Sequence, residues 1–193
     1  MKRFYTSDLH FFHKLMVKER GFSSPEEMNE KIIENWNAVV GKDDEVYFLG
    51  DLALGPHQGT ADCLHQLNGK IHWILGNHDH KKDVKKMAAL YPFASIQNDC
   101  RIKIPVCHIQ KEMQEIVMYH YPIAIWNKRQ FGAFHLHGHS HGAYFIEHGF
   151  ILDVGLDGPI SKMFPVSEDE MIEYMKTRTI GMKLDHHDAE NAR

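Results

Sequence analysis

The stretch Ile71-His72-Trp73-Ile74-Leu75-Gly76-Asn77-His78-Asp79 reads as an apolar strand that ends in a glycine and then presents an amide, an imidazole and a carboxylate in succession. Four other blocks repeat this grammar along the chain. Asp8-Leu9-His10 follows Arg3 to Thr6, Gly50-Asp51 follows Glu45 to Leu49, His120 follows Glu115 to Tyr119, and Gly138-His139-Ser140-His141 follows Phe134 to His137. The preceding runs are rich in Val, Ile, Phe, Leu, Tyr or Met. Each block is therefore expected just past a strand's C-terminal end, where open α/β architectures collect their ligand sites. A D-x-H or a G-D alone is a weak signal, but the order and context of all five are strong.

The first half alternates strands and helices: a strand at Arg3 to Thr6, a short helix from Lys14 to Arg20 ended by Gly21, and a helix from Ser24-Pro25-Glu26-Glu27 to about Val40. That helix start has the form of a capping box with Pro at the first helical position, and Met28, Ile32, Trp36 and Val39 share one face suited to packing on a sheet. A strand from Glu45 to Leu49, a helix around Ala61 to Leu67 and a strand from Ile71 to Leu75 complete a βαβαβ opening. Runs at Asp99 to His108, Glu115 to Tyr119, Phe134 to His137, Gly142 to Glu147 and Phe150 to Val154 read as strands, several separated by turn-length gaps, which predicts a more antiparallel second half. Ser167-Glu168-Asp169-Glu170 opens a last helix to about Lys176. The expectation is one domain over residues 1–177 with a polar tail over 178–193.

The chain of 193 residues carries 22 basic and 26 acidic residues, a formal charge of −4, with no Lys/Arg run shaped to track phosphates. This disfavours a duplex-DNA partner. Cys63, Cys100 and Cys107 are too few and wrongly spaced for a disulfide framework or a thiolate zinc site, and a reducing cytoplasm fits. Neither a signal peptide's apolar stretch nor a run of about 18 apolar residues is present, so a soluble protein without membrane contact is expected. The unusual count is 16 histidines, many of them near the five blocks.

Carboxylate, imidazole and Asn oxygen form a donor set suited to divalent Mn, Fe, Ni, Co or Zn, and a poor one for Mg alone. Paired ions about 3.5–4 Å apart need a bridging carboxylate. Asp51 is the natural bridge, since Gly50 lets the backbone turn tightly before it. As a set, the blocks resemble the calcineurin-like metallophosphoesterase superfamily, specifically its small bacterial and phage members. Val154-Gly155-Leu156-Asp157 and Pro165-Val166-Ser167 are similar to the closing segment of those members. The resemblance implies an α/β fold, a two-sheet β-sandwich flanked by helices. It also implies one metal on Asp8, His10, Asp51 and His141 and a second on Asp51, Asn77, His120 and His139, with Mn the first choice. His78 would bind or protonate the reacting phosphoryl group, and Asp79 would orient His78.

The phosphoprotein phosphatases of this superfamily carry an Asp-Arg-Gly after the G-D block and a Glu after G-N-H. Here the chain reads Gly50-Asp51-Leu52-Ala53-Leu54-Gly55 and ends the other block with Asp79. Without the Arg that grips a dianion, the resemblance favours a phosphodiesterase attacking through a bridging hydroxide, with cyclic nucleotides as one fitting class of small, singly charged substrate. The alternatives are a phosphomonoesterase acting on small metabolites or phosphoproteins and, from another class, a non-catalytic scaffold. Oligomeric state is not readable.

His13, His57 and His80 stand near the blocks and could line a pocket, with helix-start or surface-loop placement the plainer reading. His72 and His135 read as structural and His137 as support for the metal ligands, while His65, His108, His148, His186 and His187 have no motif context. Trp36, Trp73 and Trp126 read as core, although Tyr121 or Trp126 could stack on a base.

Overall fold

Period-two alternation in the first three strands sends Phe4, Val46, Phe48, Ile71 and Trp73 to one face of a sheet and Tyr5, Tyr47, Leu49 and Ile74 to the other, and each face has its own core. The computed structural model describes residues 1–105, 113–144 and 146–181. The chain is α/β, with two mixed sheets flanked by helices. Strands β1 (Arg3–Thr6), β2 (Glu45–Phe48), β3 (Lys70–Ile74) and β4 (Ser95–Gln97) pair in parallel, and β9 (Val166–Ser167) closes the far edge antiparallel to β1. The second sheet is ordered β5 (Asp99–Ile104), β6 (Gln114–Tyr119), β7 (Phe134–His137) and β8 (Ile151–Asp153).

Helices α1 (Lys14–Glu19), α2 (Pro25–Val39), α3 (His57–Leu64) and α4 (Lys81–Leu90) contribute to the first core. There Met28, Ile32 and Trp36 of α2 are buried, whereas Val39 is 40% exposed and Val40 takes the inward position. The second core lies between the sheets and includes Met171, Ile172 and Met175 of α5 (Glu168–Lys176). Ser167 caps α5 in a complete capping box. Ser24 accepts from the Glu27 N–H, but the Glu27 carboxylate reaches one residue further back, to the Ser23 N–H. The expected reciprocal box at α2 is thus displaced by one residue.

The second half departs from expectation. Within the second sheet β5 and β6 pair antiparallel, while β6 with β7 and β7 with β8 are parallel. Between β6 and β7, and between β7 and β8, the chain has more than a hairpin's length in which to return, as parallel pairing requires. The described residues of the expected strand Gly142–Glu147 form no strand. The Gly142 N–H goes to the Asp153 carboxylate and the Ala143 N–H to the Ser140 carbonyl, and both edges of β7 are already taken by β6 and β8. The strand expected to reach His108 is seen as β5 to Ile104, and His108, Cys107, His186 and His187 lie outside the described residues. The helix expected at Ala61 begins at His57 and ends at Leu64. Residues placed in the tail begin docked, since Gly149 N–H donates to the Thr179 carbonyl and Arg178 reaches the Ile146 and Gly149 carbonyls. No described helix is long and apolar enough to cross a membrane.

His135 sits fully buried in β7. Its Nδ1 lies 3.1 Å from the Val117 carbonyl, and its Nε2 lies 3.3 Å from both the Ile123 N–H and the Tyr121 carbonyl. Burial, with neighbouring His137 adding to it, lowers its pKa to about 4. The unfolded chain therefore takes up this proton first, and stability present above about pH 6.5 is lost as pH falls toward 4. In chelator-treated protein the urea stability of the wild type is expected to drop across this window, and His135→Gln to remove about 3 kcal/mol of that drop. An unchanged pH slope in the variant would refute the assignment.

Candidate metal centre

Parallel pairing aligns strand ends. The C-terminal ends of β1, β2 and β3 share one edge of the first sheet, those of β6 and β7 one edge of the second, and all five blocks follow these ends. Backbone hydrogen bonds lock them together: Asp8 N–H to the Gly50 carbonyl (2.9 Å), His10 N–H to the Asp51 carbonyl (3.1 Å) and Gly138 N–H to the His120 carbonyl (2.9 Å). Across the seam between the sheets, His139 N–H donates to Asp8 Oδ2 at 3.0 Å. Asp8, His10, Asp51, His139 and His141 all have left-handed backbone, with φ of 58°, 50°, 60°, 67° and 46°. Such conformations are uncommon outside glycine and gather at functional sites.

Two groups of donors result, Asp8 with His10 and His141, and Asp51 with His120 and His139, the ligand atoms in each lying within 4.8 Å of one another. Asp51 Oδ2 stands 3.7 Å from His10 Nε2 and 3.5 Å from His120 Nε2, so one carboxylate oxygen faces both groups. Asn77 Oδ1 adds to the second group, 3.0 Å from His120 Nε2. His120 Nδ1 is committed to the Leu49 carbonyl at 2.6 Å, which turns Nε2 toward the Asn77 and Asp51 oxygens. His10 Nε2 is buried without a hydrogen-bond partner, 3.8 Å from Asp8 Oδ1. An orphaned buried nitrogen between two carboxylates, and an imidazole nitrogen facing two oxygen acceptors, fit divalent cations of the borderline kind.

Burial and mutual pairing set the electrostatics of the donors. Burial raises the Asp8 carboxyl to about 7 against the opposing pull of His120 and His141, and burial lowers His10 to about 3. Burial also pushes Asp51 upward, but His120, the His78 N–H and His10 outweigh it and bring the group to about 2. The His141 pKa is raised chiefly by its hydrogen bond to Asp157.

A supporting layer, largely unread in the sequence, holds the donors. His141 Nδ1 bonds Asp157 Oδ2 at 2.7 Å, and Arg20 grips Asp157 through Nε (2.9 Å) and Nη2 (2.7 Å) while donating to the Asp8 and Leu9 carbonyls. Arg20 reads from sequence as an ordinary basic helix end, and nothing local to it signals a partner 137 residues away. Asp153 accepts from Ser140 Oγ, Gly142 N–H and Gly155 N–H and so shapes the His139–His141 loop. The Asp79 carboxylate accepts from the N–H groups of Asp51, Leu52 and Gly76 and from the Trp73 indole. Expected to orient His78, this carboxylate thus ties the G-D block to the G-N-H-D block, and the α4 N-cap is His80.

His78 is half-exposed beside the donors, its Nε2 3.9 Å from Asp51 Oδ2. His13 joins the site, its Nδ1 3.3 Å from His10 Nδ1 and its ring 6.1 Å from that of His78. His57 and His80 line a cavity that His78 also borders. Tyr121 stacks obliquely on His139 at 4.6 Å between ring centroids, whereas Trp126 is buried and donates to the Ala133 carbonyl. Trp36 and Trp73 are core, and His137 is buried with Nδ1 against the Gly138 carbonyl.

Over 185 residues the chain is 30% identical to the uncharacterized protein MJ1445 of Methanocaldococcus jannaschii, an alignment covering 91% of this chain and 93% of the relative. The chain belongs to the family of that archaeal protein. The Gene 66 protein of Mycobacterium phage L5 is 29% identical over 176 residues, covering 79% of this chain and 85% of the phage protein. The protein of unknown function AQ665 from Aquifex aeolicus shares the fold at a TM-score of 0.63 with 18% identity, covering 90% of this chain and 98% of that structure. No protein-family model matches the chain.

The close approach of blocks in this MJ1445-family chain depends on glycine. A Cβ on Gly76 would stand 2.2 Å from Asp51 Oδ1 and 2.6 Å from Asp51 N. Gly76→Ala is therefore expected to cost about 1–3 kcal/mol in urea denaturation, the usual penalty of overpacking. A variant as stable as the wild type would show that the two loops can separate freely.

Proposed function

We propose that the chain is a dinuclear-metal phosphodiesterase and that its two sheets are the sandwich of the calcineurin-like metallophosphoesterases. The observation that carries this reading is Asp51 Oδ2, within 4 Å of imidazole nitrogens from both donor groups, where a bridging ligand belongs. Asp8, His10, Asp51 and His141 would hold one ion and Asp51, Asn77, His120 and His139 the other, with Mn the first choice. When bound, the ions would polarise phosphoryl oxygens and let a water ionise near neutral pH.

The chain's own residues divide the remaining work. Asp51 Oδ1 is held by the His78 N–H at 2.9 Å, which leaves Oδ2 directed at both groups. The His78 ring is close to the donors and open to solvent, a position from which an imidazole can give a proton to a departing oxygen. Asp157 and Arg20 keep His141 in one orientation, as a carboxylate behind a ligating imidazole does. Arg20 is fully engaged by Asp157 and the Asp8 and Leu9 carbonyls, and Leu52-Ala53-Leu54-Gly55 holds no counterpart of the Asp-Arg-Gly that follows the G-D block in the phosphatases. Both points favour a singly charged diester over a phosphomonoester dianion.

Asp51→Asn is expected to weaken both metal sites and nearly abolish Mn-dependent turnover, whereas His10→Ala depletes chiefly one site. Elemental analysis of the dialysed proteins reads this directly, and an Asp51→Asn protein with two tightly held metals and ordinary activity would sink the proposal.

With Mn, kcat/KM for a diester is expected to exceed that for the matching monoester, and the reverse order would establish the phosphatase reading. No turnover of either would leave the scaffold. In the same assay His78→Gln should spare a nitrophenolate leaving group and cost a ribose leaving group about 10²–10⁴-fold, the usual range of general acid catalysis.

A further inference from the structure

Beside the donors lies a cavity of about 350 Å³, between the loop after β2, α3 and α4. His78 and Asp79 border it, so it opens where the proposed proton donor stands. Leu52, Ala53, Leu54, Trp73 and Met87 make its walls apolar. The His57 ring and the Asp83 carboxylate, paired at 2.8 Å, join α3 to α4 along it.

We propose that this cavity receives the leaving group of the ester, and that the group is a planar, uncharged heteroaromatic ring of the nucleobase kind carrying an N–H donor. The inference rests on the phosphodiesterase reading and names the chemistry that reading leaves open. His78 borders both the donor groups and the cavity, and the substituent on the oxygen it protonates is directed past it into the apolar space. The volume is that of a small-ligand pocket, and apolar walls with few polar groups suit a flat ring better than a sugar chain or a peptide. The Thr60 hydroxyl already donates to the Pro56 carbonyl and the Trp73 indole to Asp79. Asp83 Oδ1 is paired with His57, so polar recognition falls on the second oxygen of the Asp83 carboxylate, with His80 beside it. A carboxylate there repels a second phosphate and accepts a hydrogen bond from an exocyclic amine.

The test uses the full chain loaded with Mn and two diesters that share one methyl phosphate head group, the methyl ester of adenosine 5′-monophosphate and dimethyl phosphate, measured as competitors of a nitrophenyl diester. The nucleotide is expected to bind at least about tenfold more tightly, from burial of one aromatic base. Ala53→Phe, which narrows the cavity, should remove that advantage and leave dimethyl phosphate within about twofold. Asp83→Asn should reduce nucleotide binding about three- to tenfold, the worth of one hydrogen bond, and serves if Ala53→Phe does not fold. Equal affinity of the two ligands for the wild type would overturn the pocket while leaving the metal centre standing. A nucleotide advantage that survives both variants would overturn it too and move the base elsewhere. Failure of both ligands to bind would remove the phosphodiesterase reading itself, and the pocket assignment with it.

Discussion

Carboxylates enclosed at the seam between the two sheets set the terms for everything around them. Asp8 is fully buried and Asp51 is 2% exposed, and an uncompensated buried charge costs several kcal/mol. The loops are arranged as compensation. Asp79 collects three backbone N–H groups and an indole, Asp51 Oδ1 takes the His78 N–H, and Asp8 takes the His139 N–H. Donors can converge this closely only where the backbone turns sharply. The left-handed φ values at Asp8, His10, Asp51, His139 and His141 are thus the conformational cost of surrounding anions with N–H groups and imidazoles.

Strand direction does the long-range positioning. With β6 and β7 parallel, His120 and His139 both emerge at the edge that faces Asp8 and Asp51. An antiparallel β6–β7 pair would send one of these imidazoles to the opposite end of the sheet, and no loop of ordinary length would return it. Arg20 supplies a comparable link between the two halves of the chain, since one guanidinium fork joins the end of α1 to Asp157 beyond β8 and to the carbonyls of the first block. The donors are therefore held from both sheets, with the half-exposed His78 beside them.

The residues that converge at the seam were legible in the sequence, because a strand followed at once by Gly and by Asp, Asn or His is a local pattern. Asp8, His10, Asp51, Asn77, His120, His139 and His141 converge as the blocks suggested. The helix stripe of Met28, Ile32 and Trp36 and the cap of α5 were equally local, so they too could be read. The direction of β6, β7 and β8, the absence of a strand in the described part of 142–147, the reach of Arg20 to Asp157 and the four donors on Asp79 were decided only in the tertiary structure. Periodicity reports which way a side chain points along its own strand. It carries no information about which neighbour the strand will meet or in which direction, because pairing and buried-charge compensation are settled by chain segments far apart in sequence.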